Sequence, residues 1–161
     1  MNYKIVEKGP FQVVGVKQTF SSSNGEHVTG ISKMWEDVHR DGTIELLLPL
    51  NNGPLKGVLG ICVSSNDAKL EQTMNYWIAV EHDGDTIPGG LAKFEIPSSK
   101  WAVFEVHGPM PEAMQKAWSQ IFSEWFPSQP YKHAGTPRLE VYPEGDPSSP
   151  DFYSEIWVPI Q

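Results

Sequence analysis

Two pentapeptides set the terms on which this chain folds. Tyr76-Trp77-Ile78-Ala79-Val80 recurs as Ile156-Trp157-Val158-Pro159-Ile160, and each follows another apolar strand pattern, Val58-Leu59-Gly60-Ile61-Cys62 and Arg138-Leu139-Glu140-Val141-Tyr142. The segments upstream repeat as well. Residues 3 to 8 read as a short strand broken by Gly9-Pro10, and Phe11 to Phe20 as a full one; Leu91 to Ile96, Pro97-Ser98-Ser99 and Lys100 to Val106 repeat that order. Between the strand pairs lie two amphipathic helical patterns. One carries Val28, Ile31, Met34, Trp35 and Val38 and stops at Asp41-Gly42. The other runs from about Pro111 to Trp125 through Met114, Ala117, Trp118, Ile121 and Phe122, and stops at Pro127-Ser128-Gln129-Pro130. Neither unit alone buries its apolar faces, so two of them must share a core. The expected fold is α+β, one domain over 1–161, with two pseudo-symmetric β-β-α-β-β halves of about 1–85 and 90–161. It has antiparallel sheets, two helices and a cleft at the seam.

The closing hairpin concentrates the polar chemistry. Its arms alternate with period two around the loop Pro143 to Pro150. Alternation is expected to put Leu139, Val141, Ile156 and Val158 on one face, and Glu140, Tyr142, Glu155 and Trp157 on the other. Gly15, within a strand, predicts a bulge or a close backbone approach. Gly60 occupies the repeat position of Glu140, so its missing side chain leaves space opposite that carboxylate. Ser21 to Gly25 and Ser64 to Thr73 read as connections.

Composition narrows the function classes. A net charge of −8 over 161 residues argues against a basic nucleic-acid-binding face. No apolar run approaches the ~20 residues of a membrane helix, and the N-terminus lacks a signal-peptide core. The single cysteine, Cys62, forms no internal disulfide, which makes a reducing cytoplasm the expected compartment. The five histidines are scattered without metal-ligand spacing, and no Gly-x-Ser-x-Gly elbow or phosphate loop occurs. No metal, cofactor or catalytic residue is therefore expected. Six tryptophans, five tyrosines and seven phenylalanines suit a core, and equally a pocket for flat apolar ligands.

Gly9-Pro10 before a Val-Val-Gly strand, Tyr76 to Val80, Trp101 to Pro109 before a Trp-containing helix, Leu139 to Tyr142 and Glu155 to Ile160 together resemble the GyrI-like family. This is the bacterial AraC-type effector-binding domain, related to the SOUL haem-binding fold. The resemblance covers nearly the whole chain. It implies a central cleft with aromatic walls and a basal acid, binding small hydrophobic and often cationic molecules, usually as the sensor of a transcription factor. It places Glu140 at the basal acidic position and Glu155 at a second, with Trp157 and Tyr142 beside them in the wall.

No helix-turn-helix pattern accompanies the domain, so the expectation is a stand-alone binder that does not touch nucleic acid itself. A separate regulator protein is the partner this leaves open. An anion ringed by indoles suits a delocalised cation, each ring contributing roughly 0.5–2 kcal/mol. Trp77 and Trp157 hold equivalent repeat positions and either face each other across the seam or pack as core. Tyr76 and Trp101 complete the candidate ligand-binding set. Trp35, Trp118 and Trp125, on helix faces at core spacing, read as packing. Two other classes stay open: a hydrolase in which a pocket carboxylate activates water beside Tyr142, Tyr76 or Tyr153, and a protein inhibitor of the kind that restrains DNA gyrase.

Overall fold

The computed structural model describes residues 2–21, 26–64, 73–85 and 87–161, leaving aside the side chains of 26–28 and 64. The connections expected over 22–25 and 65–72 lie outside the described residues, whereas Ser21, Ser64 and Thr73 end strands. Eight strands form where alternation or apolar runs predict them: β1 (Tyr3–Lys8), β2 (Phe11–Ser21), β3 (Val58–Ser64), β4 (Thr73–Glu81), β5 (Ala92–Ile96), β6 (Ser99–His107), β7 (Arg138–Tyr142) and β8 (Tyr153–Ile160). Helix α1 spans Glu26–Arg40. The segment after Gly42 forms a short α2 (Thr43–Leu47) and a 3-10 turn, Leu48–Leu50. Helix α3 (Glu112–Gln120) continues through a π turn, Ile121–Trp125, and a last turn, Phe126–Ser128.

All strands join one antiparallel sheet in the order β1-β6-β8-β7-β3-β4-β2-β5. Exchange β1–β4 with β5–β8 and the order reads the same from the other end. The first strand of each half is traded: β1 pairs with β6, and β5 with β2. The halves meet at β3 and β7, where Gly60 lies opposite Glu140. The repeat is not residue-exact. The ladder pairs Trp77 with Ile61 but Trp157 with Leu139, two residues from the Val141 that the sequence match implies.

Both long helices cover one face of the sheet. Met34 and Val38 of α1 pack with Val14, Tyr76, Ile78 and Val80. Met114, Ala117, Ile121 and Trp125 pack with Ala102, Phe104, Ile156 and Val158. The other face packs on itself, with Phe11, Leu59, Trp77, Ile96, Trp101 and Trp157 in one cluster. Lys8 of β1 and Glu81 of β4 would lie about 24 Å apart in a flat sheet of that strand order. They form a 3.3 Å ion pair, so the sheet is strongly curled. Gly15 is the close approach its position predicts: an added Cβ would stand 2.6 Å from Ala79 Cα, with the Ile78 carbonyl nearer still.

The expected faces of the closing hairpin need correction. The ladder sets Leu139 against Trp157, Glu140 against Ile156 and Val141 against Glu155. Directly opposed residues share a face. Glu155 and Trp157 therefore stand with Leu139 and Val141, while Glu140 and Tyr142 stand with Ile156 and Val158. Alternation misleads here because residues 156–160 are all buried. Such a strand carries no inside-outside pattern, and a register change of one residue exchanges its faces.

Candidate functional site

Glu140 sits at the middle of β7, on the helix-covered face, where the two halves meet. Its carboxylate is held by aromatic donors. Trp118 Nε1 donates to Oε2 at 2.6 Å, and Tyr142 and Tyr76 donate through their hydroxyls to Oε1 at 2.9 and 3.2 Å. Trp35 Nε1 donates in turn to the Tyr76 hydroxyl at 3.0 Å. The Trp35 ring meets that of Tyr142 edge-on, with centroids 5.1 Å apart. Trp35 comes from α1 and Trp118 from α3, so each helix lends one indole to a cage over the central strands. Gly60 makes the floor possible: a Cβ there would run into the Tyr76 hydroxyl and stand 3.1 Å from Glu140 Oε1. The space expected opposite the carboxylate thus holds the Tyr76 phenol.

Protein atoms crowd Glu140, yet it and the walls Trp35, Trp118 and Tyr142 keep partial exposure, while Tyr76 is buried. Burial pushes the Glu140 carboxyl above its ordinary 4.5; the bonds from Trp118, Tyr142 and Tyr76 and the charge of Arg138 pull it back only in part. Burial, then the neighbouring Glu140 charge, drives the phenols of Tyr76 and Tyr142 well above their usual range, so both remain protonated donors. Glu140 makes no ion pair among the described residues. The nearest cation on its strand, Arg138, stacks instead over Trp118 and Phe122, at 5.5 and 6.0 Å from the ring centroids. Its charge also lies near the thiol of Cys62, which burial nevertheless raises to about 11. Neutral Cys62 is a poor nucleophile.

Of the seven residues singled out from sequence, three meet here: Glu140, Tyr142 and Tyr76. The other four lie on the opposite face. Trp101 is fully buried, Trp77 is 4% exposed and Trp157 9%, all in the self-packed core. Trp77 stacks on Phe94 and Trp157 meets Trp101 edge-on, with centroids 5.3 and 5.8 Å apart. Glu155 accepts bonds from Tyr153 and Trp157, away from Glu140. Trp35 and Trp118, expected from helical spacing as packing residues, do pack against the two helix-side clusters, and what the spacing does not show is that their indole N–H groups reach Tyr76 and Glu140. Their placement on the helix edges nearest the seam is a tertiary fact. Among the described residues, no group of three or more His, Cys, Asp or Glu could hold a metal ion, and no helix is long and apolar enough to cross a membrane.

Comparison with known proteins places this geometry in a context. Residues 4–160 match the Cass2 family model, described as integron-associated effector binding protein, which bears out the effector-binding expectation. The transcriptional regulator BrlR of Pseudomonas aeruginosa is 23% identical over 163 residues, covering 99% of this chain; the chain spans 56% of that regulator's length. The structure of SAV2435 bound to tetraphenylphosphonium is 29% identical with a TM-score of 0.90, covering 100% of this chain and 94% of the other. A putative transcription regulation protein from Staphylococcus aureus is likewise 29% identical, with a TM-score of 0.86 and coverage of 100% and 99%.

Proposed function

Because the chain belongs to the family of integron-associated effector-binding proteins, we propose that it binds hydrophobic organic cations at Glu140, within a cage of Trp35, Tyr76, Trp118 and Tyr142. One observation carries this reading: a crowded carboxylate with three aromatic donors and no ion-pairing partner among the described residues. A half-desolvated anion is costly, and hydrogen bonds offset only part of that cost. A delocalised cation supplies the missing charge while its apolar body covers the rings, and it loses little hydration on entering. The tetraphenylphosphonium bound to a relative of similar fold and 29% identity is a ligand of this class. The domain acts as a unit over 1–161, with halves of about 1–85 and 90–161 meeting at β3 and β7. It serves as the sensing part of a regulatory system in the reducing cytoplasm.

The test is a titration followed by tryptophan fluorescence, since Trp35 and Trp118 line the cage. Tetraphenylphosphonium should quench and saturate, and neutral triphenylphosphine oxide should bind far more weakly. Equal affinity for the two would refute a charge-selective site. Quenching that survives Trp35→Phe and Trp118→Phe together would place the ligand elsewhere.

A further inference from the structure

We propose that a second, independent binding site, for compact organic ammonium ions, lies on the opposite face of the sheet at Glu155. The carboxylate there is held much as Glu140 is. Tyr153 donates its hydroxyl to Oε2 at 2.6 Å and Trp157 its Nε1 to Oε1 at 3.0 Å. Both oxygens are thereby oriented, and each keeps a lone pair for a further donor. The carboxylate opens onto a cleft of about 340 Å³, whose apolar wall is made by Leu55, Val141, Pro143 and Trp157. A neighbouring hollow of about 200 Å³ shares Tyr153 and Glu155 and is lined also by Val103 and Glu105. Glu155 therefore stands where the two spaces meet.

Charge selects the class of ligand. Glu105 lies directly opposite Glu155 in the β6–β8 ladder, two like charges on one face, a destabilising arrangement without a cation between them. Neither forms an ion pair among the described residues. Lys8, on the cleft wall, is committed to Glu81 at 3.3 Å and to the Phe11 ring at 4.6 Å, and Lys56 is exposed on its loop. Lys4, exposed, lines the neighbouring hollow with Glu105 and Glu155 but forms an ion pair with neither, so the two carboxylates carry no bound counter-charge among the described residues. The volume of the cleft is at the small end of ligand cavities, roughly 300–1,000 Å³. That fits an ammonium head with one ring or a short alkyl body. The head would bridge Glu155 and Glu105 while the body lies on Trp157 and Val141.

Benzylammonium is the probe, with benzyl alcohol and benzoate as its neutral and anionic counterparts, and the readout is the Trp157 indole N–H resonance of the full chain. Benzylammonium should shift that resonance saturably and benzyl alcohol should not. Glu155→Gln, which keeps an acceptor for Tyr153 or Trp157, should weaken benzylammonium by about tenfold or more. Glu105→Gln should weaken it less. Glu140→Gln should leave this titration unchanged, which separates failure of this site from failure of the Glu140 reading. If Glu155→Gln does not fold, the wild-type contrast between ammonium and alcohol and the Glu105→Gln titration still decide. A Trp157 resonance unmoved by benzylammonium, equal shifts by the alcohol, or preferential binding of benzoate through Lys8 and Lys56 would overturn the proposal.

Discussion

Replacing Glu140 by glutamine removes one charge from the centre of the cage and leaves its shape nearly intact. The glutamine carbonyl can accept from Trp118 Nε1, where Glu140 Oε2 now accepts at 2.6 Å. Its amide then faces the hydroxyls of Tyr142 and Tyr76, which can turn to accept. Folding should survive, and the sign of the stability change follows from the raised Glu140 carboxyl. A group raised in the folded state contributes stability that is fully present below its unfolded value and is lost as pH rises through the folded one. At neutral pH the ionised Glu140 is therefore a net cost, and Glu140→Gln should leave melting temperature unchanged or higher. Binding should move the other way. A unit charge about 4 Å from the carboxylate gains about 4 kcal/mol at an effective dielectric of about 20, and desolvation of the pair offsets part of it. A net loss of about 1–3 kcal/mol, roughly 5- to 150-fold in Kd, is expected for tetraphenylphosphonium. For a neutral ligand of similar size the loss should be under about 0.5 kcal/mol. Fluorescence titration across pH supplies the control. Wild-type affinity for the cation should fall as pH drops through the raised Glu140 value, and the variant should show no such fall. Equal losses for charged and neutral ligands, or a pH profile that survives the substitution, would refute the electrostatic argument.

Other substitutions probe the remaining architecture. Tyr76→Phe removes the acceptor of Trp35 Nε1 and one donor to Glu140, so urea denaturation should show a loss of about 1–3 kcal/mol together with weaker cation binding. Trp157→Ala should cost about 3–5 kcal/mol of stability as a core truncation, while the folded fraction keeps its tetraphenylphosphonium affinity; a selective loss of that affinity would return Trp157 to the Glu140 site. Gly15→Ala places a methyl against the backbone of Ile78 and Ala79, which cannot yield as a side chain end would. Calorimetry should register a loss of about 1–3 kcal/mol or more.

The sequence by itself determined the element plan and the chemistry at its centre. Two apolar-aromatic strand pairs, each behind an amphipathic helix, are local patterns, and they appear at nearly the predicted boundaries. Glu140 was singled out through the family resemblance, since a glutamate between Leu139 and Val141 reads by itself as a solvent-facing strand residue, and Tyr142 because period two keeps it on the same face. What tertiary structure decided is everything that depends on pairing between distant segments. The trade of β1 and β5 between halves leaves no local trace, since either partner satisfies the same backbone donors. The register of β7 on β8 moved Glu155 and Trp157 to the other face, because a strand buried on both sides has no polar alternation to mark its faces. Trp35 and Trp118 look in sequence like the packing residues beside them. Only the meeting of two helix edges over the central strands brings the Trp118 indole N–H to the Glu140 carboxylate and that of Trp35 to the Tyr76 hydroxyl bonded to it. Spacing along a helix specifies which residues face the sheet, but which part of the sheet they meet is settled by how the whole chain packs.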